Sequence, residues 1–208
     1  MLDAFGPGRA EAAFANWEQG MAIMRALNDS WGEAMGHMVA GNAFLRSGDL
    51  GSAQRHYEQS APLFDEADYV YMANISRSGL ADIARLEGDY ERALALYSPV
   101  IRMWRLADHR GAIARCLECL GFIAGSQAAN AADPMPLLRR AATLYGAAEA
   151  MRRINNTPMT PWEQTEYDGH VRALGSRLDP DALDAAWRTG ARLDLDQAVD
   201  FATHHSAR

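Results

Sequence analysis

Two stretches of the chain carry the same order of small, polar and aromatic positions. The first is Ala40-Gly41-Asn42-Ala43-Phe44-Leu45-Arg46-Ser47-Gly48-Asp49-Leu50, followed by Ala53 and Tyr57. The second is Leu80-Ala81-Asp82-Ile83-Ala84-Arg85-Leu86-Glu87-Gly88-Asp89-Tyr90, followed by Ala93 and Tyr97. Gly48 to Gly88, Asp49 to Asp89, Ala53 to Ala93 and Tyr57 to Tyr97 are each 40 residues apart, and Asp68 and Asp108 keep that interval. The pattern predicts helix, tight turn, helix. Gly48 and Gly88 stand where a left-handed C-cap is wanted. Asp49 and Asp89 stand where the next helix needs an N-cap. Ala53 and Ala93 let two helices approach, and Tyr57 and Tyr97, one turn later on the same face, fill the gap beyond.

A third copy is divergent. Leu117, Leu120, Gly121 and Ala124 continue the first-helix pattern within a helical stretch expected over 112–124. The turn then gives way to a loop expected over Gly125–Pro136, and a second helix over Leu137–Arg153 brings Ala141 and Tyr145. Upstream, Ala10–Leu27 predicts one amphipathic helix of an incomplete unit. Downstream, Thr157-Pro158-Met159-Thr160-Pro161 breaks the chain. Thr160 then caps a helix with Pro161 first and Glu163 three residues on, ending near Leu174. Asp179-Pro180 opens another that Gly190 ends, and Asp194 with Gln197 opens the last. No segment alternates with period two, so no sheet is expected. The division is into repeats over 1–156, in units of about 10–28, 31–69, 70–109 and 110–153, and a helical extension over 157–208 packed on them.

Composition narrows the classes. Hydrophobic residues make up 49% of the chain, ample for a core, and the net charge is −7. That balance opposes direct nucleic-acid binding, which calls for a basic surface. All 20 positive side chains are Arg, with no Lys, a bias expected of a G+C-rich bacterial coding sequence. No run of 18 apolar residues occurs, so no membrane span is expected. The first ten residues lack the basic start and apolar stretch of a secretory signal. The expected location is cytoplasmic.

The chemistry-bearing residues form no catalytic or metal constellation, so neither catalytic residues nor a cofactor are expected. Cys116 and Cys119 form C-x-x-C without the further ligands zinc needs, inside a helix, and read as buried thiols. The six His lack i, i+4 spacing: His37, His56, His109 and His170 are scattered, and His204 and His205 lie at the end. Ser126 lacks the strand-turn-helix setting of a nucleophile elbow. Glu163 is explained as a capping residue. The five Trp read as packing. Met21, Met24, Met35 and Met38 read as irregular core filling, with an adaptable binding surface as the alternative.

The Gly41-Asn42-Ala43, Gly48-Asp49, Ala53 and Tyr57 set, and its second copy, resemble a tetratricopeptide repeat, although 40 residues exceeds the usual period of about 34. Leu144-Tyr145-Gly146-Ala147-Ala148-Glu149-Ala150, Thr160-Pro161-Trp162-Glu163 with Tyr167, and Ala185-Ala186-Trp187, Gly190-Ala191 and Leu195-Asp196-Gln197-Ala198-Val199 are similar to the helical sensor region of LuxR-type and related ATPase regulators. The resemblance spans about residues 10–203. It implies an all-α, tetratricopeptide-like right-handed superhelix of antiparallel helix pairs with a C-terminal three-helix extension. It does not extend to those regulators' chemistry. There is no G-x-x-x-x-G-K-[ST], no lysine for phosphate and no basic recognition helix.

In such arrays the first helices line a concave groove. The implied groove residues are Met38, Asn42, Arg46, Ser78, Asp82, Arg85, Glu118 and Phe122. Arg46 and Arg85 would hold a carboxylate through paired hydrogen bonds; intrahelical pairing, as in Asp82–Arg85, is the bland alternative. The expected function is a non-catalytic binding module for a protein, a peptide or a small effector, with a homodimer through the N-terminal repeat face a further possibility. Two alternatives stay open. One is an enzyme or ligand-pocket protein with its site near Tyr145, Trp162 and Tyr167. The other is a detached sensor end of a larger regulator.

Overall fold

The computed structural model describes residues 7–204, with side chains described from residue 15 onward. Among the described residues there is no strand, and helices follow one another in neighbouring pairs: an all-α, repeat-like fold. They are α1 (Pro7–Ala26), α2 (Ser30–Ser47), α3 (Leu50–Glu66), α4 (Val70–Leu86), α5 (Tyr90–Leu106), α6 (Arg110–Gln127), α7 (Met135–Asn155), α8 (Pro161–Gly175), α9 (Pro180–Ala191) and α10 (Leu195–Thr203). The chain divides between Asp89 and Tyr90 into two compact units, α1–α4 and α5–α10.

The turns keep a strict beat. Asn28, Gly48, Asp68, Gly88 and Asp108 take positive φ angles of 54°, 86°, 61°, 81° and 49°, at steps of 20 residues. The N–H of the following residue bonds the carbonyl five positions back in every case: Asp29 to Met24, Asp49 to Phe44, Tyr69 to Phe64, Asp89 to Ala84 and His109 to Trp104, at 2.8–3.0 Å. This is the Schellman closure, which satisfies a carbonyl that the ending helix leaves over. At Asp29, Asp49 and His109 the same residue also caps the next helix. The Asp29 and Asp49 carboxylates accept from Gly32 N and Ser52 N, and His109 Nδ1 accepts from Ala112 N. The 40-residue repeat is therefore two helices of one common length.

In the first unit, Ala53 and Tyr57 of α3 are buried as expected, with Phe64, Ala73 and Ile83 around them. The Tyr57 ring lies against two glycines. A Cβ at Gly41 would stand 2.8 Å from it, and one at Gly79 closer still. The phenol donates to Asn42 Oδ1 at 2.8 Å. Methionine fills the N-terminal side: a Cβ at Gly32 would stand 2.5 Å from Met24 Sδ, and one at Gly36 would collide with Met21 Sδ.

In the second unit, α6 and α7 form the central pair, and Tyr145 sits in the notch left by Gly121. α9 crosses α7 with backbone against backbone. A Cβ on Gly146 would collide with the Trp187 carbonyl, and one on Gly190 with the Thr143 carbonyl. Trp187 Nε1 donates to Glu149 at 2.6 Å across this crossing. α8 starts on the Thr160/Glu163 capping box and α10 on the Asp194/Gln197 capping box.

Two expectations are corrected. Gly125 does not begin a loop: α6 continues to Gln127, and only residues 128–134 connect it to α7. Gly190 does not terminate α9; it lies within its last turn and is the point of closest approach to α7. No helix among the described residues is long and apolar enough to cross a membrane.

Candidate functional site

The expected groove residues separate into exposed and buried sets. In the first unit, Arg46 is exposed and Asn42, Ser78 and Asp82 are half-buried. Asn42 receives the Tyr57 hydroxyl, and Ser78 Oγ donates to the Asn74 carbonyl at 2.7 Å. Met38 does not face a groove: it belongs to the core formed by α2, α3 and α4. Arg85 is buried and bonds Asp82 at 3.4 Å, the intrahelical pairing, so it is no partner for Arg46 in clamping a carboxylate.

In the second unit, Glu118 and Phe122 are fully buried because α8 covers that face of α6. Glu118 accepts from Arg152 Nε at 2.6 Å and from Nη2 at 3.0 Å, a two-pronged pair from α7. Arg152 Nη1 also holds the Thr157 carbonyl at 3.1 Å. Arg115 lies 3.8 Å from Glu118, donates to Glu166 at 2.6 Å, and sits over the Trp162 ring at 5.4 Å. Burial raises the Glu118 carboxyl above the ordinary carboxylate range, against the pull of Arg152. Phe122 stacks on His170 with centroids 4.0 Å apart. The network clasps α8 onto α6 and α7, and its charges meet one another rather than an open space. Tyr145, Trp162 and Tyr167 belong to the same packing: Tyr145 contacts Tyr167 and Trp187, and burial raises the Tyr167 phenol well above its ordinary range.

The histidines hold an arrangement that spacing alone did not reveal. His37 of α2 and His56 of α3 meet Nδ1 to Nδ1 at 3.0 Å, between Trp17 and Phe44. Both lie on either side of the Gly48–Asp49 turn, so antiparallel pairing brings them level; that register was the available signal. Burial lowers both imidazoles below their ordinary value, His56 adding to the effect on His37 and Arg55 to that on His56. Among the described residues no group of three His, Cys, Asp or Glu has the geometry to hold a metal ion. Cys116 and Cys119 are both buried, as expected. Trp104 is buried, whereas Trp31 is 43% exposed and departs from the packing role expected of it. His204 Nδ1 stands 2.6 Å from the Asp200 carbonyl, and His205 lies outside the described residues.

A cavity of about 740 Å³ opens in the second unit between α5, α6, α7 and α10. Leu94, Leu120, Ile123, Leu137 and Phe201 line it, with Gln127, Arg139, Arg140 and Thr143 as its polar members. Arg140 donates to the carbonyls of Phe201 and Ala202, each at 2.9 Å, and so closes the end of α10. The sequence pattern missed this cavity because its walls come from helices far apart in the chain.

Comparison with protein-family models, curated proteins and solved structures returns no match to this chain.

Proposed function

We propose that this chain is a non-catalytic, cytoplasmic binding module of regulatory type that engages a protein partner through its first unit. The observation that carries the reading is an aromatic edge at the turn ends of α2 and α4. Trp31, Tyr69 and Tyr71 are 43%, 49% and 45% exposed, and the Trp31 and Tyr69 rings lie 6.3 Å apart. Leu27 and Val70 extend the edge with exposed aliphatic surface. Exposed aromatic side chains in a group mark interaction sites, and Trp and Tyr dominate the energetics of such contacts. The polar residues Asn42, Arg46, Ser78 and Asp82 belong to the same unit and supply directional contacts. The tetratricopeptide-like repeat and the resemblance to regulator sensor regions support a partner-binding role without ATPase or DNA-binding parts.

The test is affinity capture with the full chain as bait. A Trp31→Ala/Tyr69→Ala variant with unchanged far-UV circular dichroism is expected to recover the wild-type partner at least about ten-fold less well, as loss of a hot spot implies. Equal recovery overturns the assignment. Sedimentation of the bait alone reads whether a second copy of the chain is the partner.

A further inference from the structure

We propose that the cavity between α5, α6, α7 and α10 is a binding site for a small amphiphilic carboxylate. Its apolar body would lie on Leu120, Ile123 and Phe201, and its anionic group would meet Arg139. This site lies in the second unit and does not rest on the partner reading of the first.

Three observations carry the assignment. The first is size and lining. About 740 Å³ falls inside the range of about 300–1,000 Å³ typical of ligand pockets. Most of the lining is apolar, with Gln127, Arg139, Arg140 and Thr143 as its few polar members, a composition that suits a ligand with an apolar body and one charged end.

The second is charge. The chain carries 27 acidic residues against 20 arginines, so carboxylates are in surplus. Several arginines of this unit use them: Arg105 pairs with Asp196 and Asp200, Arg115 with Glu166, Arg152 with Glu118 and Arg188 with Asp184. No carboxylate lines the cavity. Arg139 and Arg140 both line it, and among the described residues neither forms an ion pair. Positive charge at an apolar recess, within an acidic protein, focuses an anion there.

The third is the division of labour between the two arginines. Arg140 is committed. Its Nη2 holds the last carbonyls of α10, its guanidinium lies 4.9 Å over the Phe201 ring, and burial lowers its proton affinity. It builds the wall and adds field. Arg139, its neighbour on the same helix, is exposed and also lines the cavity. It also borders a shallower hollow of about 360 Å³ against Ala182, Ala185 and Ala186 of α9. A guanidinium offers a carboxylate two parallel donors, which a neutral head group cannot exploit.

Isothermal titration of the full chain with octanoate, 1-octanol and acetate tests the site. Octanoate is expected to bind saturably with one site per chain, at least about ten-fold more tightly than either 1-octanol or acetate, because only it offers both body and charge. Arg139→Ala, an exposed substitution, is expected to erase the preference over 1-octanol while leaving the melting temperature unchanged. Leu94→Trp, which narrows the cavity from its half-buried α5 wall, is expected to weaken both octanoate and 1-octanol. Absence of saturable octanoate binding overturns the site. Octanoate binding that Arg139→Ala leaves intact overturns the anion seat. The Trp31→Ala/Tyr69→Ala variant is expected to give the wild-type octanoate isotherm, so failure of the partner reading and failure of this one are read separately.

Discussion

At the scale of single residues, the most informative positions are glycines, and they serve three distinct purposes. Gly48 and Gly88 supply positive φ at turns, where a side chain would be strained. Gly41, Gly79 and Gly121 make room for tyrosine rings. Gly146 and Gly190 let two helix backbones touch. The last pair is the least forgiving, because the obstacle is backbone rather than a rotatable side chain. Gly190→Ala is therefore expected to cost about 3 kcal/mol or more, at the top of the range for overpacking. Gly169 of α8 is the internal control: a Cβ there meets nothing within 4 Å. Gly169→Ala is expected to stabilise by about 0.5–1 kcal/mol through the unfolded chain and helix propensity. Urea unfolding followed by circular dichroism reads both, and equal effects would remove the close-approach argument.

At the scale of elements, what was legible in the sequence is what is local. The caps at Asp49, Thr160, Asp179 and Asp194, the positive φ at Gly48 and Gly88, and the burial of Ala53, Tyr57, Ala93 and Tyr97 all follow from residues a few positions apart. The finer beat of 20 residues was half hidden, because Asn28, Asp68 and Asp108 take the position that glycine marks elsewhere. Asn and Asp tolerate that conformation, but their identity does not announce it. Partnerships between helices far apart in the chain were not legible. The repeat resemblance implies an open groove face for Glu118 and Phe122, since nothing near them in sequence tells that α8 returns to cover it. The His37–His56 pair of α2 and α3 follows instead from antiparallel register across their shared turn, and it has a measurable consequence. Both imidazoles titrate below their ordinary value of about 6.5 in the folded protein. The unfolded chain therefore binds protons first as pH falls through that value, and stability falls with it. Glu33, 3.9 Å from His37 Nε2, opposes the shift, and Arg25 and Arg55 reinforce it. Thermal melts at pH 7.5 and 5.5 are expected to show a lower midpoint at the acid value. His56→Phe should shrink that difference; a pH response unchanged by the substitution would place its origin elsewhere.

At the scale of the whole molecule, the repeat pattern and the compact units divide the chain differently. Repeat reasoning separates residues 157–208 as an extension, whereas the compact unit begins at Tyr90 and includes α8, α9 and α10. The second unit is tied from end to end: Arg105 of α5 reaches Asp196 and Asp200 of α10, and Arg140 of α7 holds the end of α10. Arg115 of α6 holds Glu166 of α8, and α9 covers Gly146 of α7. A chain cut after residue 156 loses all of these and uncovers Tyr145 and its neighbours on α7, an apolar surface with nothing to replace the missing helices. Fragment 90–208 keeps them all and meets the size and core requirements of an independent domain. It is expected to give a helical spectrum and one cooperative urea transition, the behaviour of a small single domain. Fragment 1–156 is expected to bind the dye ANS and unfold over a broad range, as states with exposed apolar surface and loose packing do. Cooperative unfolding of 1–156 together with a molten 90–208 would reverse the assignment and restore the division that the repeats imply.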